Sequence, residues 1–175
     1  MVDPKLAKLG VRNDFLNATA IQLSKDMGML LNRNSQVKRC QWLRNGESLA
    51  RWLTARFEIR GPGGKLGLLE LAMERRQAVI LAADLVKAPN VQGMAVEGPL
   101  SDMVADGMRE LANVCGAAFG RGFKARLEGQ GSCHLVQATW EDPPPPAFEV
   151  AWAARVDMVF AGIKEPFAFQ LTVEA

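Results

Sequence analysis

Residues 106–116 read DGMRELANVCG, and the phase of this run decides how the second half of the chain folds. At 3.6 residues per turn, Val104, Met108, Leu111, Cys115 and Ala118 line up as one apolar stripe, while Asp106, Glu110 and Asn113 form a single row on the opposite face. The spacing predicts a helix over 101–120, capped by Ser101, with Asp102 and Asp106 near its positive end. A carboxylate and a carboxamide on the outside of a core helix have two readings. They are ordinary solvated residues, or they are groups aimed at a docked partner, one pairing with a cation and the other holding a water in line for attack.

Working outward, residues 74–88 carry Val79, Leu81, Ala82, Leu85 and Val86 at helical spacing, and the prolines and glycines of 89–99 end that helix. Residues 14–31 repeat the pattern with Phe15, Leu16, Ala18, Ile21, Leu23, Met27 and Leu30 as the apolar set, and Asn13 or Asp14 as the cap. Strands are predicted over 36–44 and 49–59. In the latter, Leu53, Ala55, Phe57 and Ile59 alternate with Trp52, Thr54, Arg56 and Glu58, as a half-buried strand requires. A turn at 61–64 (GPGG) leads into a returning strand over 65–73. Gly120 and Gly122 read as a second turn, followed by three strands over 123–139, 147–160 and 166–173. Between the first two of these, Pro143 to Pro146 read either as a stiff loop or as a polyproline ligand.

The order helix, strands, helix, helix, strands argues for an α+β fold with helices packed on one face of a mainly antiparallel sheet. The helix-then-strands plan occurs twice, hinting at a pseudo-repeat. With 175 residues and 49% hydrophobic content, one domain over 1–175 is expected, its core spanning about 12–175.

Composition excludes several functions. A net charge of +2, with basic residues interleaved with acids, offers no surface to track a nucleic-acid backbone. The most apolar run, 78–83, meets Asp84 before it could cross a bilayer, and residues 1–10 show no secretory leader, so no membrane insertion is expected. Cys40, Cys115 and Cys133 are odd in number and widely spaced, as suits reduced, buried thiols in a cytoplasmic protein. His134 is the only histidine, and on a strand it faces away from Cys133, which disfavours both a metal site and a nucleophile–base pair.

Asp106, Glu110 and Asn113, with the order of helices and strands from about residue 12 onward, resemble the CheC/CheX/FliY family of chemotaxis phosphatases. The run FLNATAI at 15–21, followed by MGM at 27–29, is similar to the opening helix of CheX, and a single clear signature helix is CheX-like. The resemblance implies a CheC-like fold and hydrolysis of the aspartyl phosphate of a CheY-like receiver domain. Glu110 would pair with the receiver's active-site lysine, Asn113 would position the attacking water, and Asp106 would support them. Mg2+ would come with the phosphorylated receiver, so no cofactor of the chain's own is expected, and a homodimer is implied. The pattern differs in three places. Gly116, not residue 117, follows Asn113; no proline occurs between Asn113 and Pro143; and the first helix offers Asp14 and Asn17 as a shorter version of the motif. These differences keep a second reading open, a non-catalytic module that docks on a receiver or a signalling complex.

Overall fold

The computed structural model describes residues 13–43, 53–89, 98–126, 131–139 and 150–174. The elements are α1 (Asn13–Leu31), β1 (Ser35–Leu43), β2 (Leu53–Gly61), β3 (Gly64–Met73), α2 (Arg75–Val86), α3 (Asp102–Arg126), β4 (Ser132–Thr139), β5 (Val150–Phe160) and β6 (Phe167–Glu174). The fold is α+β. The strands form one six-stranded sheet in the order β1-β5-β6-β3-β2-β4, with every neighbouring pair antiparallel.

That order carries the pseudo-repeat. Exchanging β1 with β4, β2 with β5 and β3 with β6 turns it into its own reverse. A pseudo-twofold axis therefore passes between the central strands β3 and β6, and α1 and α3 are counterparts.

Alternation along the strands sorts the side chains. Phe57, Ile59, Leu69, Leu71, Val156, Met158, Phe169 and Leu171 fill a core beneath α1 and α3. Each such side chain, fully buried, contributes about 1.5–3 kcal/mol. Aromatic pairs join neighbouring elements. Phe57 on β2 meets Phe119 on α3 edge to face at 5.8 Å, and Trp42 meets Trp152 across β1 and β5 at 5.2 Å. The opposite sheet face is polar, with Arg56 paired to Glu70 at 3.2 Å and Arg155 to Asp157 at 2.7 Å.

Three expectations are corrected. Gly120 and Gly122 do not turn the chain; α3 continues through them to Arg126, and β4 begins only at Ser132. Close approach selects these glycines: a Cβ on Gly120 would lie 3.2 Å from the Cys133 backbone nitrogen, and one on Gly122 would lie 2.5 Å from Thr19 Oγ1. The apolar set assigned to α1 is too broad. Leu16, Leu23 and Met27 are buried, with Thr19, Ala20 and Ser24 beside them, whereas Ala18 is exposed and Ile21 is 63% exposed. Of the three free cysteines only Cys115 is buried; Cys40 and Cys133 are half-buried on the two edge strands. Pro143 to Pro146, the start of the strand predicted over 49–59, most of the loop at 89–99 and residues 1–12 lie outside the described residues, as do the side chains of Asn13 and Asp14.

Candidate functional site

The long helix α3 lies between three neighbours, and small residues let each come close. Gly107 faces Ala82 of α2, Gly116 faces the Phe57 ring of β2, and Gly122 faces Thr19 of α1. Its first turn is capped by Ser101, whose Oγ accepts from the Val104 amide at 3.3 Å. Val104, Met108, Leu111, Cys115 and Ala118 are all buried, so the predicted phase holds over this stretch.

The outer face is set by the same phase. Asp106, Glu110 and Asn113 are exposed, as is Ala117 one turn further on. Residues three apart on a helix hold their Cβ atoms about 5–6 Å from one another. The Glu110 carboxylate and the Asn113 carboxamide therefore present themselves side by side from a rigid backbone. Neither makes a hydrogen bond or ion pair among the described residues, so both keep their full capacity for a partner. Asp106 differs: its carboxylate is held by Arg109, one turn along.

Gly116 belongs to the core side. A Cβ there would stand 2.7 Å from Phe57 Cε1, so the glycine lets α3 settle onto β2. Ala117 adds only a methyl group to the exposed row. On α1, Asn17 is exposed, while the Asp14 side chain lies outside the described residues.

The other reactive groups stand apart. His134 lies on β4, exposed, with Nε2 3.1 Å from Ser132 Oγ. Strand β4 meets α3 at Gly120, about 15 Å along the helix from Glu110 at 1.5 Å per residue. Burial pushes the Cys115 and Cys133 thiols up to about 12, and burial together with Asp157 pushes Cys40 up to about 11. All three stay protonated near neutral pH and are poor nucleophiles. Among the described residues no group of three His, Cys, Asp or Glu side chains converges as metal ligands would, and no helix is long and apolar enough to cross a membrane.

No protein-family model matches the sequence, and no curated protein matches it. Solved structures do match in shape. FliY of Thermotoga maritima superposes with a TM-score of 0.66 at 13% identity, over 100% of this chain and 92% of that one. The chemotaxis protein CheX of Vibrio vulnificus superposes with a TM-score of 0.61 at 11% identity, over 92% of this chain and 99% of that one. This chain has the CheC/CheX/FliY fold. A third structure with this fold is FliM of H. pylori in its complex with FliG, at TM-score 0.66, 11% identity, and 99% and 94% coverage. At such identities the likeness is one of fold. Sequence reading located the row on α3. It missed a groove beside α1, because no local signal says which strand ends a sheet.

Proposed function

We propose that the chain is a CheX-like phosphatase that hydrolyses the aspartyl phosphate of a receiver domain. The observation that carries this reading is the exposed, uncommitted pair Glu110 and Asn113 on a helix fixed by its buried side. Glu110 pairs with the receiver's active-site lysine and seats α3 over the phosphoryl group. The Asn113 carboxamide hydrogen-bonds a water and holds it in line with phosphorus, opposite the aspartyl oxygen. Attack forms a new P–O bond and breaks the bond to the aspartate, whose carboxylate leaves as inorganic phosphate departs. Asp106, steadied by Arg109, adds negative charge beside the lysine. Mg2+ comes bound to the phosphorylated receiver, and the chain works as a homodimer in the cytoplasm.

A second reading is a docking module without catalysis. It is favoured by FliM, which shares the fold and was solved in a complex with FliG. One assay separates the two. CheY-like receivers phosphorylated with acetyl phosphate and Mg2+ are mixed with the chain, and phosphate release is followed. The phosphatase reading expects acceleration that disappears in Glu110→Ala and in Asn113→Ala while urea unfolding is unchanged. Binding without acceleration leaves the docking reading.

A further inference from the structure

We propose that the groove between α1 and the outer edge of β1 is a docking site for an extended, acidic segment of a partner protein. Strand β1 ends the sheet and pairs only with β5, so among the described residues its outer row of N–H and C=O groups has no strand partner. The α1 helix packs beside this edge, where Ser35 Oγ donates to the Ser24 carbonyl at 2.7 Å. Ile21, 63% exposed, and Met29, 65% exposed, lie two turns apart along the crest with Lys25 between them. At the floor, Gly28 has no side chain, and a Cβ there would lie 2.6 Å from Ser35 Oγ. The resulting groove encloses about 870 Å³, with Gln36 and Val37 along its strand side.

Charge selects the occupant. The lining includes Lys25 and Arg33 and no carboxylate. Arg33 is already matched, donating twice to Asp84 at 2.7 Å. Lys25 pairs with no carboxylate among the described residues; further along β1, Lys38 donates to Gln36 and Arg39 to Gln41, and the carboxylate across from Arg39, Asp157, is held by Arg155. An extended segment that alternates apolar and acidic residues sends one set against Ile21, Met29 and Val37, beside Lys25, and the other toward Lys38 and Arg39 on the opposite face of the sheet.

A second copy of the chain fits poorly. Pairing two β1 edges would set Lys38 and Arg39 against their own like charges, and the register shift between Val37 and Arg39 interrupts a regular ladder.

The probe is a labelled ten-residue peptide alternating Val and Glu, titrated by fluorescence anisotropy, with a Val and Lys peptide as control. The acidic peptide should saturate, and its binding should weaken at least about tenfold in Ile21→Ser/Met29→Ser, in Lys25→Glu, and on raising salt well above physiological strength. Amide NMR shifts should move along 21–29 and 35–43. Phosphate release from a phosphorylated receiver should be unchanged in these variants, which keeps this proposal separate from the phosphatase reading. The proposal is overturned if the acidic peptide fails to saturate, if the Lys peptide binds equally, or if sedimentation shows a dimer that Ile21→Ser/Met29→Ser dissolves.

Discussion

Helices α1 and α3 hold counterpart places about the pseudo-twofold axis, and they bury the same kind of side against the same sheet. Leu23 and Met27 do on one what Phe119 and Phe123 do on the other, and Cys115 Sγ meets Met27 Sδ at 3.9 Å where the two helices touch. Their outer faces have diverged. The α3 face carries Asp106, Glu110 and Asn113; the α1 face carries Asn17, Ala18, Ile21, Lys25 and Met29. A repeat fixes the buried faces, because the core must close around both, and leaves the solvent faces free to take separate tasks. The phosphoryl chemistry proposed above rests on the α3 face, and the docking proposed above rests on the α1 face.

The comparison breaks if the halves are independent folding units. Phe57 of the first half packs on Phe119 of the second, so Phe57→Ala should cost about 3–5 kcal/mol in urea unfolding and keep a single transition. Two separate transitions would show that the halves fold alone. Replacing a glycine at the helix contact is the next largest test. Gly122→Val places atoms where Thr19 already stands and should cost about 1–3 kcal/mol; an unchanged midpoint would mean that α1 and α3 are not held close there.

The Arg33 to Asp84 pair sharpens the comparison, since it ties the end of α1 to α2. The Arg33 guanidinium, through hydrogen bonding first and charge second, holds the Asp84 carboxyl below the usual carboxylate range. A lowered folded-state pKa means that the stabilisation is present above the unfolded pKa and fades as pH falls through the lower folded value. Arg33→Gln should therefore cost about 1 kcal/mol at pH 7 for this partly exposed pair, and the gap from wild type should close in strong acid. A gap independent of pH would assign the loss to packing. Smallest of all, Glu110→Ala and Asn113→Ala should each shift stability by no more than about 0.5 kcal/mol, as exposed helix positions do. A larger loss would contradict the outward phase of the row.

Much of this arrangement is legible in the residues alone, and the exceptions have physical causes. Periodicity exposed the phase of α3 because its core stripe is unbroken from Val104 to Ala118. It failed at Gly120 and Gly122, where the local tendency to turn is overridden by the need for close contact with β4 and α1. It also placed Ile21 inside, because an apolar residue at helical spacing reads as core unless the width of the covering sheet is known. The strand order β1-β5-β6-β3-β2-β4 joins partners far apart in the chain, so neither the twofold axis nor the edge groove has a local signature. The pair Glu110 and Asn113 was found through its phase and its family resemblance, and Asn17 of α1 was visible only as a weaker echo.

The two helices are proposed to differ in function at the asparagines that the sequence motif matches, Asn113 and Asn17. This difference is tested most directly by single-turnover decay of a phosphorylated CheY-like receiver in excess wild type, Asn113→Ala and Asn17→Ala protein. The account predicts that Asn113→Ala slows the accelerated decay by about a hundredfold, as loss of a positioned water does, while Asn17→Ala matches wild type. Equal loss in both variants, or no loss in Asn113→Ala, would contradict it.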